Sequence, residues 1–381
     1  MTPASIFISA GEVSGDMHAA AVIDELIKRH PGTNISGIAG SRMLAAGCHP
    51  LHPMQALNVM GISDVIPALP RIHRIEKSIL RWCEENKPAA AILVDFSSFH
   101  MRLGRKLRTM GIPVLHFIAP KLWAWGSWRI RKLKQSQNAL ACILPFEPDW
   151  FGKHGIAASY VGNPSVIACA GGWSRDALKA RLGVEQSSKL LAILPGSRSQ
   201  EIKSHVTVLA EVMRQIRQID ASIEFVVPVA PGVSRESLAA LWQAGGLPLE
   251  RQEADYALRA DASIAVSGTA TLELALWDVP TVLIYKTSVL TMFLARKLVG
   301  VKCAGLANII LDDRTVMPEL IQQDCTAEHI VEHVLPMLQN TDEGDRQRAE
   351  FKELRRRLGT LSPAHGVVDM IDALLMGVEE V

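Results

Sequence analysis

The stretch SIFISAGEVSGDMHAAAVIDELIKRH, residues 5–30, decides the fold class. It opens with the apolar run Ser5 to Ser9, passes through a loop of small residues and carboxylates, and then places apolar residues at helical spacing. The same order recurs, because residues 89–94 predict a strand, 103–110 a helix and 113–118 a further strand. Continuous apolar strands separated by helices indicate a parallel sheet covered on both faces.

A second unit of the same kind follows a linker predicted at Cys169 to Trp173, where two adjacent glycines leave the backbone free to hinge. Its predicted strands are 190–194, 223–227, 262–266 and 281–285, with a helix at 201–218. Two such units predict an α/β fold with a ligand cleft between the carboxyl ends of two parallel sheets. We expect the domains to span 1–170 and 171–344.

Composition excludes several classes of protein. The 381 residues include 40 basic and 39 acidic side chains, and a net charge of +1 argues against binding nucleic acid through bulk charge. The chain contains no apolar run of about 20 residues, as a membrane span requires, and its start lacks the basic segment of a signal peptide. We therefore expect a cytoplasmic protein. The six cysteines are widely spaced, which favours reduced, buried thiols over a zinc site.

A loop that could bind phosphate follows the first strand of the second unit. It reads Pro195-Gly196-Ser197-Arg198-Ser199-Gln200-Glu201 and leads into a predicted helix. Backbone amides at a helix start, together with one guanidinium, can bind a phosphate or diphosphate. An ordinary helix start with a solvated Arg198 explains the same pattern equally well.

A second loop, Ser267-Gly268-Thr269-Ala270-Thr271-Leu272-Glu273, also lies between a strand and a helix. Gly268 lets a ligand approach the backbone, and the Glu273 carboxylate can accept hydrogen bonds from a ribose diol. A capping box is the alternative, although it requires its acid at the third helical position. Two such loops in one unit favour a nucleotide, while the absence of GKS/T and GxGxxG argues against Walker-type and dinucleotide sites.

Further along the same unit, Lys286 ends a strand and Asn308 follows in a turn. A cation and an amide there could bind a leaving diphosphate, with a surface lysine and a turn asparagine as the alternatives. In the first unit, Asp95 ends a buried strand, where burial can raise the pKa of a carboxyl toward use as a general base. A helix cap is its alternative role, and Glu12 and Asp16 are the competing carboxylates.

An ordered set of motifs along nearly the whole chain resembles the lipid-A-disaccharide synthase family, GT-B glycosyltransferases of Gram-negative outer-membrane biogenesis. The set comprises Ser9 to Asp16, Val59-Met60-Gly61-Ile62, Trp123-Ala124-Trp125, Leu144-Pro145-Phe146-Glu147, the Pro-Gly-Ser-Arg loop, Ser267 to Glu273, and Asn308. The resemblance implies an inverting transfer of diacylglucosamine from UDP-2,3-diacylglucosamine to 2,3-diacylglucosamine 1-phosphate. It also implies that the C-terminal helix, residues 345–381, joins the first domain.

The resemblance further implies roles for individual residues. Asp95 and Glu12 are the expected catalytic residues, with Asp95 as the general base, and Gly11, Ser14 and Asp16 share the acceptor-side loop with Glu12. The expected UDP-sugar site comprises Gly196, Ser197, Arg198, Glu201, Ser267, Gly268, Thr269, Ala270, Glu273, Lys286 and Asn308. No metal and no other cofactor is expected, because helix starts and Arg198 would stabilise the diphosphate.

The chain departs from the family pattern at two positions. Asn163 stands where the family commonly has histidine, and Ser98 stands where many members carry a second aspartate. Two other functions therefore stay open. One is a GT-B enzyme that acts on UDP-N-acetylglucosamine, such as an epimerase, and the other is a nucleotide-sugar-binding module without turnover.

Lipid substrates would bring the protein to the cytoplasmic face of the inner membrane as a peripheral protein. Residues 62–82 combine apolar positions at roughly helical spacing with cations, a pattern typical either of an interfacial helix or of a helix packed on a sheet. The tryptophans Trp123, Trp125 and Trp128, beside basic residues, could face lipid or pack between domains. We expect the two lipid substrates and the membrane surface as partners, no nucleic acid, and leave a homodimer open.

Overall fold

The computed structural model describes residues 5–57, 62–251, 256–287, 302–339 and 342–377, with side chains from residue 67 onward in the helix that begins at Ile62. The chain divides into two compact units. The first comprises Met1–Pro164 and Thr360–Val381, and the second comprises Ser165–Gly359. Most of the motif Val59-Met60-Gly61-Ile62 lies outside the described residues.

The first unit alternates strands with helices. Its strands are β1 (Ser5–Ala10), β2 (Asn34–Ala39), β3 (His49–Pro53), β4 (Ala90–Val94), β5 (Val114–Phe117), β6 (Ala139–Cys142) and β7 (Ser159–Tyr160). Its helices are α1 (Val13–Arg29), α2 (Ser41–Ala45), α3 (Ile62–Asn86), α4 (Ser97–Thr109), α5 (Ile130–Lys134) and α6 (Glu147–Gly152), while α7 (Pro164–Ala168) spans the division between the units. Short 3₁₀ helices cover Met54–Leu57 and Ser127–Arg129.

All seven strands of the first unit pair in parallel in the order β3-β2-β1-β4-β5-β6-β7. Every residue of β4 is buried, because helices cover both faces of the sheet. The chain leaves β1 toward β2 on one side and later returns to place β4 on the other. The order therefore reverses between β1 and β4, and such a switch point is where open α/β sheets bind ligands.

The second unit repeats this plan. Its strands are β8 (Leu190–Leu194), β9 (Glu224–Val229), β10 (Gly246–Glu250), β11 (Ala262–Val266), β12 (Thr281–Tyr285) and β13 (Glu319–Ile321). Its helices are α8 (Arg175–Leu182), α9 (Ser199–Ile219), α10 (Ala239–Gln243), α11 (Thr269–Leu276), α12 (Leu306–Ile310), α13 (Ala327–Leu338) and α14 (Asp342–Leu358), with 3₁₀ helices at Arg235–Leu238 and Gln322–Asp324.

The six parallel strands of the second unit have the order β10-β9-β8-β11-β12-β13. Their switch point lies between β8 and β11, so the loops that follow these two strands flank it. Apolar side chains from both faces of the sheet form the core, with Phe225, Ile264 and Ile284 fully buried against α9 and α13. The prediction of two parallel-sheet units is confirmed.

The end of the chain differs from the expectation. Residues 345–381 were expected to form one helix on the first domain, but the structure has two helices that belong to different units. Helix α14 packs on the second unit, where Phe351 and Leu354 are buried, and the chain returns to the first unit only at Thr360. There α15 (Pro363–Leu375) packs on α1. The first unit ends at Pro164, whereas the linker was predicted at Cys169 to Trp173.

The apolar stripe of α3 packs on the sheet of the first unit. Ile75 and Ile79 are buried with Phe7 and Leu93 in one core cluster. Leu69, just before the stripe, is half exposed. No helix within the described ranges is long and apolar enough to cross a membrane.

Candidate active site

Asp95 lies at the switch point of the first sheet, in a strained turn between β4 and α4. Asp95 and Phe96 have φ values of +51° and +45°, and neighbouring Ile118, after β5, has +68°. Residues other than glycine pay about 1–3 kcal/mol each for such a conformation, and these positions cluster at functional sites. The amide of Asp95 donates to the carbonyl of Phe117 at 2.9 Å, which ties the turn to β5.

A buried histidine holds this turn. His100 Nδ1 lies 2.7 Å from the carbonyl oxygen of Asp95, and its Nε2 lies 2.9 Å from Oγ of Ser9 in β1. A carbonyl only accepts, so Nδ1 carries the proton and Nε2 accepts from the serine hydroxyl. Burial lowers the pKa of His100 to about 4, which keeps the ring neutral. The imidazole therefore links β1 to the Asp95 turn, a role that the sequence prediction missed.

The Asp95 carboxyl itself is half-buried. Burial raises its pKa, while a hydrogen bond from the Phe96 amide and the charge of Lys121 lower it. A carboxylate with a raised pKa is a stronger base once ionised. A raised pKa of this kind fits the expected role of Asp95 as a general base.

The acceptor-side loop after β1 touches the Asp95 turn. The ring of Phe96 packs on Gly11 so closely that a Cβ at residue 11 would lie 2.3 Å from the ring atom Cγ. Glu12 follows as the N-cap of α1 and is exposed, as is Ser14 in the first turn of that helix. The pairing of Ala10 with Val94 carries the loop after β1 to the Asp95 turn, where Gly11 contacts Phe96.

Asp16 stabilises the start of helix α2. Its buried carboxylate accepts backbone hydrogen bonds from Gly40, Arg42 and Met43 at 2.9–3.1 Å. These amides form the start of α2, whose orphan N–H groups it satisfies. Asp16 is thus a structural residue that fixes α2 to α1, and it is engaged away from the Asp95 turn.

The first unit contains another buried carboxylate, that of Glu147. Glu147 accepts from Trp123 Nε1 at 2.9 Å and from the amides of Ile143 and Leu144. Burial raises its pKa to about 7 despite these hydrogen bonds and the charge of Lys121. Two of the motifs that carry the family resemblance therefore meet in a structural contact, and Trp123 packs inside the unit.

In the second unit, the loop after β8 folds around Glu201. The amides of Ser197 and Arg198 both donate to Glu201 Oε2, at 3.1 and 3.2 Å, and Gly196 has φ of +106° beneath the same side chain. Glu201 at the third helical position completes a capping box. These amides were expected to bind diphosphate, but the structure gives them to Glu201. The Arg198 side chain, 81% exposed, is the part of this loop that can meet a ligand.

A second buried histidine joins this loop to the end of β12. His205 Nδ1 donates to the carbonyl of Glu201, and its Nε2 accepts from the amide of Lys286, each at 2.7 Å. Burial lowers the pKa of His205, which favours the neutral ring that both contacts require. Lys286 itself is exposed. The arrangement repeats that of His100 in the first unit, and the sequence prediction missed it as well.

The loop after β11 lies at the switch point of the second sheet. Ser267 donates to the carbonyl of Ala304, Gly268 is the N-cap of α11, and Thr269 and Ala270 form its first turn. Glu273 forms an ion pair with Arg251, and its other oxygen, Oε1, meets no hydrogen-bond donor among the described residues. Burial raises the pKa of Glu273, while Arg251 lowers it. A carboxylate oxygen that is free to accept can bind a ribose hydroxyl.

Asn308 uses its whole amide internally. Nδ2 donates to the carbonyl of Met317 and to Glu319, and Oδ1 accepts from the amides of Val316 and Met317. Glu319 in turn accepts from the amides of residues 304 and 305. Asn308 was expected to contact the diphosphate, but all four of its hydrogen-bonding positions are occupied, so it acts through the loop it holds.

The two positions that depart from the family pattern lie in different environments. Asn163 is buried and donates to the carbonyl of Ile143 at 2.9 Å. Ser98 is exposed in the first turn of α4.

Within the part of the chain that the structure describes, no three His, Cys, Asp or Glu side chains are placed to hold a metal ion.

Comparison with known proteins decides the family. A family model described as lipid-A-disaccharide synthetase matches residues 6–363. The chain belongs to this family. It is 34% identical over 376 residues to the lipid-A-disaccharide synthase of Myxococcus xanthus, covering 98% of both chains. It is 35% identical to that of Nitrosococcus oceani, covering 98% of this chain and 96% of that one. The resemblance seen in the motifs is confirmed, and the protein is a glycosyltransferase of lipid A disaccharide synthesis.

Solved structures confirm the GT-B fold class. MurG of Acinetobacter baumannii superposes with a TM-score of 0.59 at 17% identity, covering 97% of this chain and 99% of that one. A UDP-GlcNAc 2-epimerase from Neisseria meningitidis, solved bound to UDP-GlcNAc, gives a TM-score of 0.63 at 12% identity, covering 99% and 100%. At these identities the likeness is one of fold.

Proposed function

We propose that this enzyme transfers 2,3-diacylglucosamine from UDP-2,3-diacylglucosamine to a sugar hydroxyl of 2,3-diacylglucosamine 1-phosphate, with inversion. The products are the acylated disaccharide 1-phosphate and UDP. One observation supports the proposal most strongly. In each of the two sheets, the predicted loops flank the point where strand order reverses, Asp95 and Glu12 in one unit and Arg198 and Gly268 in the other.

The chemical step is a single displacement. The acceptor hydroxyl oxygen forms a bond to the anomeric carbon, the bond from that carbon to the diphosphate oxygen breaks, and UDP leaves on the opposite face. The hydroxyl proton passes to the carboxylate of Asp95, and the backbone of Asp95 is held by His100 and by the Phe117 carbonyl. Glu12, exposed on the neighbouring loop, contacts the acceptor sugar.

The donor is bound by the second unit in this proposal. The guanidinium of Arg198 and the ammonium of Lys286 compensate the negative charge that develops on the leaving diphosphate. Glu273 Oε1 accepts from the ribose diol while Arg251 fixes the other oxygen. A diphosphate that approaches the Ser197 and Arg198 amides has to displace Glu201, so loop opening accompanies donor binding.

Acylated substrates require contact with a membrane surface, and we propose that the enzyme acts at the cytoplasmic face of the inner membrane. The first unit supports this with exposed apolar side chains near cations. Leu69 is 48% exposed, and Trp125 and Trp128 are 46% and 61% exposed beside Arg129.

The test is an assay of UDP release by the purified protein, with diacylated or unacylated UDP-glucosamine and the lipid acceptor. The proposal predicts turnover only when both substrates carry acyl chains. Turnover of the unacylated donor alone, or epimerisation of UDP-N-acetylglucosamine, would contradict it. Binding without any UDP release would favour a nucleotide-sugar-binding module instead.

A further inference from the structure

A basic pocket lies wholly within the first unit, between α4 and the helices at Ser127–Lys134. Its volume is about 340 Å³, and Ser98, Arg102, Arg105, Arg129 and Lys132 contribute to its wall. Arg102 pairs with the buried Glu76. The other three cations, Arg105, Arg129 and Lys132, form no ion pair with any residue that the structure describes. The pocket therefore carries net positive charge that the fold itself leaves uncompensated.

Arg129 is held in place at the pocket. Its guanidinium lies over the ring of Trp125, with 5.3 Å from Cζ to the ring centroid, and Trp125 packs edge-to-face on Trp128. Its side chain folds over Gly126, where φ is +87° and a Cβ would lie 3.0 Å from Nε. That Nε is buried and donates to no group among the described residues. A fixed planar guanidinium with an unused buried donor suits a phosphate, which accepts from two N–H groups at once.

Ser98 places one wall of the pocket close to the candidate base along the chain. It lies in the first turn of α4, three residues past Asp95, so the Cα atoms of the two residues are at most about 11 Å apart. No side chain caps the start of this 13-residue helix, so its first amides and the positive end of its dipole also favour an anion. An acceptor whose attacking hydroxyl and phosphate lie on one sugar needs its phosphate site within one sugar of the base.

We propose that this pocket binds the phosphate group of the acceptor, which rests on the acceptor assigned under the proposed function. The shared chemistry is a phosphate ester carried by a lipid, so the headgroup of an anionic membrane lipid is the competing source. The acceptor is favoured because Ser98 in the pocket wall is only three residues from Asp95 and because the pocket contains one fixed guanidinium.

A binding experiment tests the pocket without turnover. Glucosamine 1-phosphate and glucosamine are titrated into the full-length protein by calorimetry. We expect a preference for the phosphate ester that falls at least tenfold in the Arg105→Gln/Lys132→Gln double variant and in Ser98→Asp, which adds an anion at the rim. Lys153→Gln, an exposed cation of the same unit outside the pocket, is the control and should keep the preference. Equal affinity for both sugars would overturn the proposal.

A kinetic experiment in neutral detergent micelles separates the two sources of phosphate. Each of Arg105→Gln, Lys132→Gln and Gly126→Ala should raise the KM for the lipid acceptor about tenfold and leave the KM for the UDP donor unchanged. Gly126→Ala keeps every charge, strains the turn at φ +87° and displaces Arg129. An unchanged acceptor KM together with lost binding to phosphatidylglycerol vesicles would assign the cations to the membrane and overturn the proposal. A wild-type enzyme that does not use the lipid acceptor would contradict the proposed function. The calorimetric titration would still test whether the pocket binds phosphate.

Discussion

Replacing His100 tests whether a buried imidazole positions the candidate base. His100→Leu keeps a similar volume but leaves the Asp95 carbonyl and the Ser9 hydroxyl without their partner. Each buried polar group that loses its hydrogen bond costs about 1–3 kcal/mol, so we expect the free energy of unfolding to fall by about 2–6 kcal/mol. His100→Asn keeps a donor at the position of Nδ1 and should lose about half as much.

The same change should slow the reaction. Without the imidazole, the strained turn at Asp95 and Phe96 relaxes, and a shift of about 1 Å in a catalytic group costs about 10²-fold in rate. We expect kcat to fall about 10²-fold in His100→Leu and less in His100→Asn, with unchanged affinity for UDP. Relaxation also exposes the carboxyl, so its pKa falls and the acid limb of the rate profile moves to lower pH.

The assays are urea unfolding, calorimetric UDP binding and kcat over a range of pH. His154→Leu is the control, because His154 is exposed and its ring makes a single hydrogen bond, to the carbonyl of Trp150 in α6. If His100→Leu lowers stability but leaves kcat and its pH profile unchanged, the histidine is structural only and the positioning argument fails.

Three further predictions follow from the packing. Burial lowers the pKa values of His100 and His116 to about 4 and about 3, below the ordinary 6.5. The two histidines therefore bind protons at a higher pH in the unfolded chain than in the folded one, and the free energy of unfolding should fall by about 2 kcal/mol per histidine between pH 7 and pH 5. Urea unfolding of the wild type and of His116→Leu at several pH values measures this fall. An equal pH dependence of the unfolding free energy in the two proteins would contradict it. Gly11→Ala should clash with Phe96, costing about 1–3 kcal/mol and lowering kcat, whereas Gly152→Ala, where no atom lies within 4 Å, should change neither. Asn308→Asp places a carboxylate against Glu319, so thermal stability and UDP affinity should both drop; unchanged UDP affinity in calorimetry would remove Asn308 from the donor site.

The sequence predicted seven of the 13 strands of the described residues, namely β1, β4, β5, β8, β9, β11 and β12. The predicted ranges 190–194, 262–266 and 281–285 coincide with β8, β11 and β12, because they are continuous apolar runs between turn residues. Strands β2, β3, β6, β7, β10 and β13 were missed. Of these, β3 and β10 lie at sheet edges and contain prolines and exposed residues, so they carry no apolar run.

The site residues show the same contrast between features that lie in one stretch of sequence and features that only the fold brings together. Asp95 and the loops at the switch points could be placed because a carboxylate or small-residue loop directly after a buried strand lies at the ligand edge of the sheet. The roles of Asp16 and Asn308 could not, because their partners Met43 and Glu319 come from separate elements that only the fold brings together. His100 and His205 left a faint signal, a histidine five residues after Asp95 in one unit and four residues after Glu201 in the other.

The most direct test of the central claim is the Asp95→Asn variant, which keeps the size of the side chain and removes its basicity. The measurement is kcat with both acylated substrates, paired with UDP affinity from calorimetry. We expect kcat to fall about 10²–10⁴-fold while UDP affinity stays within twofold of wild type, as for the loss of a general base. An undiminished kcat, or a loss of UDP affinity as large as the loss of rate, would contradict it.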